Sequence, residues 1–176
     1  MTTTKYWYAL YANSNQQLKI RDRLLAHGME AYVPCKKVER SHARKVELKD
    51  VPIIPTYVFF ICDTNELPLV RQVQGVSRIV RTFLHTGDYV RIPDEQVQNI
   101  REACTRADGE LTFSEGGVPF RNGTKVRVTG GMFKGIVGEV AQIDESKPLS
   151  SLFLRIENLA CAKVEIETKY IQLAEE

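Results

Sequence analysis

Tyr6–Ala12 (YWYALYA) is an unbroken aromatic and apolar run between polar flanks, the pattern of a buried strand. Ser14-Asn-Gln-Gln17 has the spacing of a capping box, and predicts a helix running to His27 with Gly28 as its stop. Ile20, Leu24 and Leu25 can turn inward from that helix, while Gln16, Lys19 and Arg23 make a neighbouring polar row. Glu30–Val38 and Pro52–Cys62 (PIIPTYVFFIC) read as further strands, with a basic stretch between them at the tip of a long hairpin. Leu67, Val70 and Val73, closed by Gly75, predict a short second helix, and Val76–Phe83 a fourth strand. Pro93 and Asp94 open a third helix, with Val97, Ile100 and Cys104 along one side. The order β-α-β-β-α-β-α fits an antiparallel sheet with helices packed against it.

Beyond residue 105 the rhythm changes. Thr105–Arg121 is charged, aperiodic and contains Gly and Ser, so it reads as a flexible linker. Strands are then expected at 125–129, 136–143, 151–157, 162–168 and 170–173, and five short strands with Gly-rich turns suggest a small barrel. Within Gly123–Ile143, Val126 and Val128 alternate with Lys125 and Arg127, the period of a half-buried strand. Gly130-Gly131 supplies a turn and Phe133 an apolar plug. Gly135 and Gly138 fall where a strand must bend or let another backbone come close, and Val137, Val140 and Ile143 continue the next strand.

Composition adds limits. The 176 residues, 43% hydrophobic and 26% charged, suit one medium or two small soluble domains. Neither a signal-peptide core nor an apolar run of roughly 20 residues is present, so a cytoplasmic, membrane-free protein is expected. Cys35, Cys62, Cys104 and Cys161 are scattered and read as free thiols. His27, His42 and His85 are isolated, and no phosphate loop, nucleophile elbow or metal-ligand cluster occurs. No enzyme, cofactor or metal is therefore expected. Net charge is only +2, but Lys36–Lys49 holds six Lys/Arg against two Glu. Such a stretch suits either phosphate contact or a solvated loop.

The Gly123–Ile143 spacing resembles the KOW motif, on Gly123, Val126, Val128, Gly131, Phe133, Gly135, Gly138 and Val140. Upstream, Trp7-Tyr8, Pro52-Ile-Ile-Pro-Thr-Tyr-Val-Phe-Phe60 and Gly75-Val-Ser-Arg-Ile-Val80 resemble the NGN domain of NusG-type transcription elongation factors. The resemblance spans nearly the whole chain. It implies an α+β fold: an NGN domain (1–106, ferredoxin-like antiparallel sheet flanked by helices), a linker (107–121) and a KOW domain (122–176, small SH3-like β-barrel). It also implies a monomeric factor that binds the clamp helices of the largest RNA polymerase subunit. The polymerase-facing residues would be Tyr11, Ile54, Pro55, Tyr57 and Phe59, although the same side chains could simply fill the core. Alternation puts Tyr57 and Phe59 on one face, and Val58 and Phe60 on the other.

Thr56 in place of the family's usual Gly, the short basic hairpin and the divergent 157–166 segment look more like specialised RfaH/UpxY-like antitermination paralogues. That type implies suppressed pausing or termination on selected operons, such as those for surface polysaccharide. It also implies that Gln16, Lys19 and Arg23 meet the non-template DNA strand, unless they are a solvated helix face. Lys36, Lys37, Arg40, Arg44 and Lys45 would touch upstream DNA, or remain free loop charges. The KOW domain would recruit a protein, with a ribosomal protein or the helicase Rho as candidates. Two interior glycines, each costing a helix about 1 kcal/mol, argue for a constitutive β form of that domain. Two alternatives stand: a general NusG-like factor coupling polymerase to Rho or the ribosome, and a ribosome-associated RNA-binding KOW protein. The slightly acidic 111–176 half, with 8 Lys/Arg against 9 Asp/Glu, disfavours the latter.

Overall fold

The computed structural model describes residues 4–42, 45–83, 86–107 and 111–174. Its strands and helices run β1 (Lys5–Ala12), α1 (Gln17–Ala26), β2 (Ala31–Tyr32), β3 (Cys35–His42), β4 (Lys45–Pro52), β5 (Tyr57–Asp63), α2 (Leu67–Gln72), β6 (Val76–Ile79), β7 (Arg81–Phe83), β8 (Thr86–Tyr89) and α3 (Asp94–Arg106). They continue with β9 (Thr112–Glu115), β10 (Thr124–Val128), β11 (Val137–Val140), β12 (Leu149–Ile156), β13 (Ala160–Glu167) and β14 (Ile171–Leu173). Two compact units emerge, one of Met1–Cys35 with Asp50–Asp94, the other of Lys36–Lys49 with Glu95–Glu176.

The first unit is built on a sheet of order β2-β5-β1-β6. Register sets its two faces: Tyr8 lies opposite Phe60 and Leu10 opposite Val58. These four pack with Ile20 and Leu24 of α1 and Leu67 and Val70 of α2 into one buried cluster. The continuous apolar run of β1 is thus explained by burial of Trp7, Tyr8, Ala9 and Leu10 on both faces. A turn at Gly75 closes this core against α1. Its φ is +96°, and an added Cβ would sit 3.1 Å from the Gln16 Cβ and 3.2 Å from the Ile20 Cγ1, so glycine serves both the backbone and the close approach.

Three expected elements are divided. The stretch 30–38 splits into β2 and β3 around Val33-Pro34, where proline has no N–H to give a ladder. Residues 52–62 break at a bend over 53–56 between β4 and β5. Strand 76–83 becomes β6 and β7, which belong to different sheets.

The second unit corrects the barrel. Its sheet has the order β14-β10-β11-β12-β13-β9, and among the described residues no pairing joins β9 to β14, so it does not close. The physical reason lies in the stretch read as a linker. Thr112–Glu115 forms β9 and pairs with β13 from Lys163 to Ala160, covering that edge. The inner faces of β10, β12 and β13 bury Val126, Val128, Leu152, Leu154, Ile156, Val164 and Ile166. Gly138 on β11 lies tight against the backbone of the neighbouring strand: an added Cβ would meet the Phe153 carbonyl oxygen at 2.8 Å and the Leu152 Cδ1 at 2.8 Å.

Helix α3 buries Val97, Ile100 and Ala103, while Cys104 is only half-buried. Its polar side is tied within the second unit. The Gln96 side chain accepts from Glu157 N at 2.7 Å and donates to the Glu157 carboxylate at 3.3 Å. Asn99 Oδ1 accepts from Val137 N at 3.4 Å, and Arg106 donates to the Lys134 carbonyl at 2.7 Å.

Candidate functional site

The start of α1 departs from the capping-box expectation. Asn15 turns the chain with φ +58°, Gln16 is the N-cap, and no side chain caps the helix. Gln17, read as the box's reciprocal residue, is instead 5% exposed and donates its amide to the Pro55 carbonyl. Ala12 N also donates to the Thr56 carbonyl at 2.9 Å. The Ile53–Thr56 bend is therefore held by the end of β1 and the first turn of α1.

That bend leads into an aromatic row. Tyr11 and Tyr57 are cross-strand partners with ring centroids 4.9 Å apart, and the Tyr57 hydroxyl donates to that of Tyr11 at 3.2 Å. Phe59 follows at 6.2 Å from Tyr57. Thus the fold does bring Tyr11, Tyr57 and Phe59 together, on the face opposite the Tyr8 cluster. Burial is uneven: Phe59 is 0%, Ile54 1% and Tyr57 5% exposed, whereas Tyr11 is half-buried and Pro55 exposed. A partner approaching this conformation meets Pro55 and the edge of Tyr11. Contact with Phe59 requires that ring to be uncovered.

The polar row on α1 is partly engaged. Lys19 is exposed, Gln16 is half-buried beside Gly75, and Arg23 donates to the Gln74 carbonyl. On the β3–β4 hairpin, Lys36, Lys37, Arg40 and Lys45 are all exposed, with Lys45 paired to Glu47 at 2.9 Å. Arg44 lies outside the described residues. Strand alternation sends Lys36 and Arg40 to one face and Lys37 to the other.

Of the KOW-motif residues, Gly123 precedes β10, Val126 and Val128 are its buried positions, and Gly138 and Val140 lie on β11. Gly131, Phe133 and Gly135 form the intervening turn, in which Phe133 is buried and Met132 is exposed. Glu139 and Arg155 form a bidentate pair across β11 and β12 at 2.8 and 2.9 Å. The Glu139 hydrogen bond raises the Arg155 pKa further.

None of the four cysteines forms a disulfide. Burial, with Glu66 and Asp63 nearby, pushes the Cys62 thiol up to about 12, and burial pushes Cys161 up to about 11. Both therefore remain protonated and poorly nucleophilic at neutral pH. Among the described residues no group of three or more His, Cys, Asp or Glu could hold a metal ion.

Three arginine–tyrosine stacks had no counterpart in the sequence reading. Arg78 lies over Tyr11 at 4.3 Å, Arg81 over Tyr89 at 4.3 Å and Arg91 over Tyr6 at 4.1 Å. The sequence signal was there in part, as arginines spaced through a tyrosine-bearing β segment, but the pairing partners come from other strands.

The family model described as NusG, transcription termination factor nusG, matches residues 5–101, more than half of the chain. The chain belongs to the NusG family. As a member of the NusG family it is a transcription factor and not an enzyme. A solved structure concerning domain interaction in Thermotoga maritima NusG is similar over 98% of each chain, at 17% identity and a TM-score of 0.50, a likeness of fold. Two conformations of an MjSpt4:Spt5 complex match at 12% and 13% identity over 97% of this chain, and over 99% and 97% of theirs. Their TM-scores of 0.29 and 0.28 are too low to bear on the fold. No curated protein sequence matches the chain. No helix among the described residues is long and apolar enough to cross a membrane.

Proposed function

We propose that this NusG-family chain is a general elongation and termination factor, acting as a cytoplasmic monomer that ties RNA polymerase to Rho or the ribosome. The observation that carries the reading is the family match over residues 5–101, under a description that names a termination factor. In this proposal residues 1–106 work as the polymerase-binding NGN domain and 122–176 as the KOW domain that recruits a protein, joined by 107–121. The polymerase surface comprises Tyr11, Ile54, Pro55, Tyr57 and Phe59. First contact falls on Pro55 and Tyr11, because these are the members with exposed surface. Aromatic rings suit such a contact, since they give large area at low entropic cost. Gln16, Lys19 and Arg23 face displaced DNA, and the basic hairpin meets upstream duplex through its phosphates.

A second reading is specialised antitermination on selected operons, favoured by Thr56 in the 52–60 segment and by the divergent 157–166 segment. Transcription by the cognate polymerase through a Rho-dependent terminator separates the two. Increased termination supports the general factor, and read-through supports the specialised one. Absence of any stable complex with the polymerase would sink both. A narrower check is Pro55→Glu, expected to weaken polymerase binding about tenfold while leaving the melting temperature unchanged.

A further inference from the structure

We propose that Asn122 is a site of spontaneous deamidation, which leaves an aspartyl or isoaspartyl residue at the entrance to β10. The only co-reactant is water. The Gly123 amide nitrogen loses its proton to hydroxide and bonds to the Asn122 Cγ, and the side-chain amide leaves as ammonia. Water then opens the cyclic imide, so that an amide and a water become a carboxylic acid and ammonia. Opening at the side-chain carbonyl gives aspartate. Opening at the main-chain carbonyl gives the isoaspartyl form, in which the chain runs through the Asn122 β-carbon. Nothing in this chemistry depends on polymerase or on DNA.

The chain has six asparagines, and the fold sorts them by the N–H that follows each. Gln16 N, after Asn15, donates to the Asn13 carbonyl at 3.1 Å, and Leu159 N, after Asn158, to the Ile156 carbonyl at 3.0 Å. Glu66 N, after Asn65, donates to the Asp63 carboxylate, and Ile100 N, after Asn99, lies in the α3 ladder. Each of these nitrogens must break a hydrogen bond before it can attack. Among the described residues only Asn13 and Asn122 precede an N–H without such a bond, and Ser14 carries a Cβ where Gly123 has none. The missing Cβ opens the approach to the nitrogen and widens the backbone conformations from which the ring can close. Asn122 and Gly123 are both exposed, and the ladder begins just after them, at Thr124.

Charge favours the same site. Ring closure passes through an anionic nitrogen and an oxyanion on Cγ, both of which nearby cations stabilise. Arg121 and Lys125 flank the pair and are exposed. Glu139, whose Oε2 would lie 3.1 Å from a Cβ on Gly123, is already neutralised by its bidentate pair with Arg155. The product has two local consequences. It sets a second carboxylate beside Glu139, and in the isoaspartyl form it inserts a main-chain carbon just before the Thr124–Val140 pair. Phe120 packs where Gly123 lacks a side chain and meets Phe153 edge-on, with centroids 5.2 Å apart. Lengthening the chain at Asn122 moves that ring from its seat and loosens the start of β10.

The test is incubation of the full chain in warm, mildly alkaline buffer, folded or in urea, followed by cleavage at glutamate and mass spectrometry. Cuts after Glu115 and Glu139 release 116–139, in which Asn122 is the only amide side chain, so a mass gain there has one source. The folded chain should convert Asn122 before any other asparagine, at a rate within about tenfold of that in urea, because an open site needs no unfolding. A site protected by the fold would be slower by about a thousandfold or more. Ammonia should appear in equal amount, and two products of the same mass should separate by chromatography. Asn122→Ser should abolish the gain in that segment. Asn122→Asp supplies the charge without the extra carbon and should melt with the parent chain, whereas the isoaspartyl fraction should melt lower. Faster conversion at Asn13 or any other asparagine, or a folded rate more than about tenfold below that in urea, overturns the site. An isoaspartyl fraction that melts with the parent chain overturns its effect on β10.

Discussion

Replacing Gly138 by alanine adds one methyl group where three atoms already converge. The new Cβ would lie 2.8 Å from the Leu152 Cδ1, 2.9 Å from the Leu154 Cδ2 and 2.8 Å from the Phe153 carbonyl oxygen. The two leucine methyls can rotate away, at the cost of off-rotamer side chains in a layer where both residues are at most 1% exposed. The carbonyl cannot, because Phe153 is the residue paired with Glu139 in the β11–β12 ladder. Relief therefore means moving β11 off β12. Overpacking of this kind costs about 1–3 kcal/mol, and loss of the ladder bond puts the expected value at the upper end, about 2–3 kcal/mol. Urea denaturation followed by far-UV circular dichroism should show a lower midpoint at unchanged slope. Hydrogen exchange should quicken at β11 and β12 amides. Adding Leu152→Ala should restore little, since it removes a methyl clash and leaves the carbonyl. A loss below about 0.5 kcal/mol, or full rescue by Leu152→Ala, would refute the reasoning.

Two further perturbations test the first unit and the thiols. Gln17→Leu keeps the volume but removes the donor to the Pro55 carbonyl, and should cost about 1–3 kcal/mol with faster amide exchange at Ala12, whose N–H reaches Thr56. Cys62 and Cys161 should resist a thiol-specific disulfide reagent at pH 8 in the folded chain and react at once in urea. Their folded pKa values, about 12 and about 11, exceed the ordinary 9.0. Their contribution to stability is therefore full below about pH 9 and is lost as pH rises toward those values, so alkaline unfolding should shift upward in a Cys62→Ser/Cys161→Ala chain that folds.

What could be read in the sequence was whatever local pattern determines. The β1 run is apolar on both faces because both are covered, and α1 stops at Ala26 with Gly28 following as expected. The pairing of Tyr57 with Tyr11 follows from alternation once β1 and β5 are adjacent. Edges were illegible. Thr112–Glu115 has no apolar period of its own and becomes a strand only because β13 offers it a ladder, so neither β9 nor the open sheet could be inferred from spacing. The capping box failed for a similar reason: Gln17 had a tertiary acceptor, the Pro55 carbonyl, that no local motif announces. The depth of Phe59, and the guanidiniums over Tyr6, Tyr11 and Tyr89, likewise depend on which strands meet.

An open sheet has two borders, and here they are a three-residue strand, β14, and a four-residue strand, β9, flanking a sheet whose β12 and β13 are eight residues long. A foreign strand seeking a template would find only a few free backbone groups on either side. The long strands, which would make the best templates, are paired on both flanks: β12 by β11 and β13, β13 by β12 and β9. Thr112–Glu115 therefore acts as a built-in stopper against strand-by-strand aggregation, and cutting it away should turn a stable solute into one that self-associates.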